Sequence, residues 1–80
     1  MNRERMALKG LIAEKKRRLG ELELLADGYI TSIRDILWPY AEDFTELKID
    51  VALSEMKELH RVWEEARKLK QELSKLEAEL

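Results

Sequence analysis

The chain has no cysteine, one proline and three glycines among its 80 residues. Without cysteine, no disulfide or thiolate metal site can brace a fold this short, so stability has to come from long helix packing or from association. So little proline and glycine leaves few turns, which argues against a sheet. No apolar run is long enough to span a bilayer, and Met1-Asn2-Arg3-Glu4-Arg5 lacks the apolar stretch of a signal peptide, so the expected setting is cytoplasmic, with no membrane partner. A large charge of one sign is also missing, the net value being -2.

What the chain does have is charge and hydrophobicity in nearly equal measure, 40% and 45%. That balance reads as charge-laced helices rather than disorder. Eighty residues make one domain at most, with a small core. The charge is unevenly spread. Residues 1–20 carry seven bases against two acids, and residues 21–50 eight acids against two bases.

Pro39, near the middle, is the one strong breaker. It lacks an amide hydrogen, clashes with a preceding helical turn and restricts the residue before it, so a helix arriving through Ile33, Ile36 and Leu37 should end near Trp38. Before the break, apolar residues follow a seven-residue repeat with Arg5, Ile12, Leu19, Ala26 and Ile33 at a, and Leu8, Lys15, Leu22, Tyr29 and Ile36 at d. After it, Ala52, Leu59, Ala66, Leu73 and Leu80 take a, and Val62, Leu69 and Leu76 take d. Additional apolar residues flank the seam: Leu11 and Leu25 at g, and Ile30, Leu37, Ile49, Met56 and Trp63 at e. Both stripes therefore widen toward the break, as expected where a helix meets more than one neighbour.

The spacing predicts an all-α, antiparallel two-helix coiled-coil hairpin, one domain over 1–80. Its helices should cover about 3–37 and 50–80, with a turn over 38–49. Asp43 with Glu46 resembles a capping box, Asp50 offers a later helix start, and a short helical turn is expected around Ala41 to Thr45. Trp38, Tyr40, Phe44, Leu47 and Ile49 are expected to fold back and plug the end of the hairpin. Folding about residue 44 sets residue i opposite 88 − i. This puts Leu22 against Ala66, Trp63 against Leu25 and Ala26, and Ile12 against Leu76. Glu21 and Glu23 then come beside Arg67 and Lys68, Lys15 and Lys16 beside Glu72, and Arg5 and Lys9 beside Glu79 and Glu77. Gly10, Gly20 and Gly28 fall on the outer face, each costing about 1 kcal/mol relative to alanine.

Few residues invite a chemical reading. His60 and Glu64 form an i, i+4 pair, but one helix supplies only these two ligands, and Lys57 stands where a di-iron bundle needs glutamate. Thr31, Ser32, Ser54 and Ser74 have no histidine at a plausible spacing, and there is no glycine-rich phosphate loop. Neither catalysis nor a cofactor is expected. Lys15-Lys16-Arg17-Arg18 is the one basic run, but at ~100° per residue it forms a collar without interleaved aromatics.

Ile36-Leu37-Trp38-Pro39-Tyr40, followed by Glu46-Leu47-Lys48-Ile49-Asp50 and Ala52, resembles the hinge of short helical-hairpin proteins encoded in phages and prophages, whose role is generally unassigned. The resemblance covers the hinge alone. It implies a hairpin and a phage setting, and carries no site residues.

The expected function is a non-catalytic structural, scaffold or adaptor role exerted through helix–helix interaction. The partners are a second copy, in a homodimeric four-helix arrangement around the Trp38 end, and an unidentified protein. The self-association and core residues near the turn are Leu25, Ile30, Ile33, Leu37, Trp38, Tyr40, Phe44, Ile49, Met56 and Trp63, while the charged ends are splayed or more mobile. The alternative is a small nucleic-acid-associated regulator using Lys15, Lys16, Arg17 and Arg18.

Overall fold

A computed structural model describes residues 2–38 and 43–80. Two helices, α1 (Asn2–Leu37) and α2 (Ile49–Ala78), pack against each other, and no strand forms among the described residues. The result is an all-α helical hairpin, a rod of 67 × 15 × 14 Å. Residues 39–42, with Pro39 and Tyr40, lie outside the described residues, so the expectations placed on them do too.

α1 ends where the proline was expected to end it, its last backbone bond running from the Trp38 N–H to the Arg34 carbonyl at 2.7 Å. Asp43 then turns the chain. Its carboxylate accepts from the Thr45 N–H at 2.9 Å and the Thr45 hydroxyl at 2.6 Å, capping a 3₁₀ turn over Phe44–Glu46. These two bonds hold the Asp43 carboxyl below its ordinary pKa, the hydroxyl bond being the larger cause. The aspartate half of the expected capping box is therefore real, but it caps one tight turn rather than a long helix. α2 begins after Lys48, whose carbonyl accepts the Ala52 N–H at 3.0 Å. Asp50 lies inside the first turn of α2, where a negative charge complements the helix dipole, rather than capping a start at Val51.

The seam follows the heptad. Ile12, Leu22 and Ile33 of α1 and Ala52, Val62 and Leu73 of α2 are buried, and every one stands at a or d. Leu8, Lys15, Leu19, Ala26, Tyr29 and Ile36, the intervening a and d residues of α1, are half-buried, as are Leu59, Ala66, Leu69 and Leu76 of α2. The seven-residue spacing puts each of them on the stripe that turns toward the other helix. The register agrees as well. Lys15 meets Glu72 as expected, whereas Lys16 reaches Glu77 instead, and Leu22 and Ala26 share a groove with Val62, Trp63 and Ala66.

Two expectations require correction. Trp38 and Phe44 do not plug the end of the hairpin: they are 87% and 65% exposed, and Ile49 is half-exposed. A single pair of helices is one side chain deep, so the described residues supply no third layer at the tip for large rings to enter. Nor are the charged ends splayed, because Glu4, Arg5 and Leu8 line one groove with Glu79 and Leu80. The half-buried Leu8 at d carries the seam to the end of the rod.

Candidate functional site

A two-helix seam has two flanks, formed by the e positions of both helices on one side and the g positions on the other. The ion pairs identify them. Lys16 and Glu77, both at e, approach to 3.7 Å, whereas Arg18 and Glu65, both at g, meet at 2.7 Å.

The g flank carries ion pairs, with Leu11, Leu25 and Val51 spaced along it at 42%, 46% and 48% exposure. α2 presents Glu58, Glu65, Glu72 and Glu79 at successive g positions, one acid every two turns. Arg18 reaches across to Glu65 through two nitrogens and also bonds Glu21 of its own helix. Lys15, at a seam position, directs its ammonium out to Glu72 at 2.5 Å and so satisfies its charge without breaking the stripe. Hydrogen bonds from Arg18 and Lys15 hold the Glu65 and Glu72 carboxyls below the ordinary glutamate pKa. Arg18, bonded by Glu65 and Glu21, is pushed up in turn.

Three of the four basic residues therefore spend their charge on α2, and only Arg17 has no ion pair among the described residues. The expected pairing of Glu21 and Glu23 with Arg67 and Lys68 does not form among these pairs. Arg67 instead lays its guanidinium over the Trp63 ring, 4.8 Å from the centroid. A planar, weakly hydrated cation gains by stacking there, and sequence spacing alone ranks that option below an ion pair.

The e flank is apolar toward the turn. Ile30 and Leu37 from α1 and Ile49, Met56 and Trp63 from α2, all at e, are 39–52% exposed, and Leu53 at the neighbouring b position adds to them. Between the helices runs a groove of ≈ 490 Å³ whose walls include Ala26, Ile30, Met56, Leu59 and Trp63. Its rim carries His60, whose ring lies 5.4 Å from that of Trp63 and whose Nδ1 is 2.8 Å from Glu64. The i, i+4 pair thus forms as a surface contact. No group of three or more metal-ligating side chains occurs among the described residues.

Of the self-association residues named from sequence, Ile30, Leu37, Ile49, Met56 and Trp63 come together on this flank. Leu25 lies on the opposite flank, Ile33 is buried in the seam, and Trp38 and Phe44 stand exposed at the tip. Tyr40 falls outside the described residues. Sequence reasoning missed Leu53, whose b position suggests the outer face until the width of the e flank is known. No described helix is long and apolar enough to cross a membrane. Comparison with family models, curated proteins and solved structures finds no match for this chain.

Proposed function

We propose that this chain is a non-catalytic helix–helix interaction module, a scaffold or adaptor hairpin that works in the cytoplasm through its apolar e flank. The observation that carries this reading is the concentration of Ile30, Leu37, Ile49, Leu53, Met56 and Trp63 on one side of the rod, all left partly exposed by the seam. Covering apolar surface is worth about 25 cal/mol per Å², so a flank of this kind gains by meeting another helix. The phage-like hinge fits the same reading and adds no residue to it.

The ion pairs of Lys15, Lys16 and Arg18 weigh against the nucleic-acid alternative, since a base already matched by a carboxylate releases fewer counterions from a phosphate backbone. We expect no retardation of DNA or RNA by the chain at low salt. A shift that is steep in salt and lost when Lys15, Lys16, Arg17 and Arg18 are changed to Gln would favour the alternative.

A photoreactive phenylalanine placed in cells at Met56 or Trp63, and separately at the outer-face residue Leu24, tests the module. Protein adducts should form from the two flank positions and not from Leu24. Adducts from Leu24 alone, or from none of the three, would remove the flank from consideration as the working surface.

A further inference from the structure

Resting on the flank reading above, we infer that the occupant of the e flank is a second copy of this chain, docked face to face with both turns at the same end. The two-fold axis runs along the rod. Each α1 then lies antiparallel to the second copy's α2, and the four helices share one core.

The area argument comes first. Ile30, Leu37, Ile49, Leu53, Met56 and Trp63 together expose on the order of 500 Å² per copy, against the roughly 800 Å² per partner that a standard stable interface buries. The apolar half of the flank alone therefore falls short, and the remainder has to come from the charged half beyond Trp63. Only an alignment along the whole rod uses both halves.

Orientation follows from what each half would meet. Full overlap with the turns at opposite ends sets Ile30 and Met56 against Lys9, Lys16, Lys70 and Glu77, burying charge against hydrocarbon. Sliding the copies until the apolar halves meet leaves the charged halves unused, so the area is never reached. With the turns together, like meets like at every level. Ile30 and Leu37 face the second copy's Met56 and Ile49, and Trp63 lies over the shared core.

Charge adds to this. In the seam register, Glu23 stands level with the second copy's Arg67, and neither makes an ion pair among the described residues of one chain. The one like-charge level, Lys16 with Lys70, has Glu77 beside it. The g flank offers no such fit, because its row Glu58, Glu65, Glu72 and Glu79 would face acids or bases already paired.

The full chain, 9.5 kDa, should run at twice that mass by light scattering after size exclusion at micromolar concentration. Met56→Glu should raise the dimer dissociation constant ~30-fold or more, the loss expected of a central interface residue, while helicity by circular dichroism persists. Met56→Gln is the gentler variant should helicity fall, and must weaken the dimer in the same direction. Leu25→Glu on the g flank and Trp38→Ala at the tip should each change the constant less than about tenfold.

Because the native chain has no cysteine, a spin label at Ser74→Cys reports the arrangement directly. With the turns together the two labels lie about 20 Å apart. With the turns opposed and the apolar halves overlapped, they lie about 50 Å apart at 1.5 Å rise per residue. The longer distance overturns the proposal, as does a monomer at 100 µM or a dimer sensitive to Leu25→Glu or Trp38→Ala but not to Met56→Glu. A monomer whose flank positions still cross-link a different protein overturns this inference alone and leaves the interaction module standing.

Discussion

The two flanks of the rod solve the same problem in different ways. Along g, α2 meets α1 through carboxylates, and the cations that answer them come from Lys15 and Arg18. Along e, in the half nearer the turn, it meets α1 with Met56 and Trp63, which the seam covers only in part. The ion pairs of the g flank are satisfied within one chain, Glu72 by Lys15 and Glu65 by Arg18. An apolar flank is satisfied only by more apolar surface. The first therefore closes within one chain, and the second stays partly open to solvent.

The largest effect that probes this division lies at neither flank. Leu22 is 1% exposed in the middle of the seam, and Leu22→Ala should cost about 2–5 kcal/mol of unfolding free energy, measured by urea titration. A cost near zero would mean that the flanks rather than the seam hold the helices together. Next come the outer-face glycines. A Cβ at Gly10, Gly20 or Gly28 meets nothing within 4 Å, and none of the three has positive φ. Each Gly→Ala change should therefore stabilise α1, by about 0.5–1 kcal/mol in the same titration, with both flanks intact. Destabilisation at any of them would reveal a close neighbour on the outer face.

The smallest effect separates the flanks most cleanly. Glu65 and Glu72 hold their protons less tightly in the folded hairpin than in the open chain, where the ordinary glutamate pKa is 4.5. Their contribution is present above that value and drains away as pH falls through the depressed folded pKa. The thermal midpoint should drop on going from about pH 6 to about pH 3, and the drop should shrink in the Glu65→Gln, Glu72→Gln double variant. Equal drops in the two proteins would show that these pairs do not contribute the acid sensitivity of the g flank.

How much of this was legible beforehand depends on which force placed each residue. Ile12, Leu22, Ile33, Ala52, Val62 and Leu73 could be read from the heptad, because burial on a helix depends on angular position and angular position is fixed by spacing. The stop at Trp38 followed from a missing amide hydrogen, and the Lys15–Glu72 contact from the register. Trp38 and Phe44 went the other way, since hydrophobicity says that a ring gains by burial but not whether the fold provides a place for it. Arg67 was misassigned for a related reason. Several carboxylates lie within reach of a long flexible cation, and the Trp63 face competes with all of them. The apolar flank was half-visible: its e positions were in the pattern, whereas Leu53 became part of it only once the rod had two sides.

The 15 × 14 Å cross-section carries a consequence of its own. Every amide in such a rod lies within one helix diameter of water, so protection from hydrogen exchange has to come from the helices staying closed rather than from depth. Exchange rates along α1 and α2 should then map opening of the hairpin residue by residue, slowest around Leu22 and Val62 and fastest toward the two ends. The same thinness would make them an inventory of everything that docks on the rod, each occupant leaving its footprint as a stretch of slowed amides.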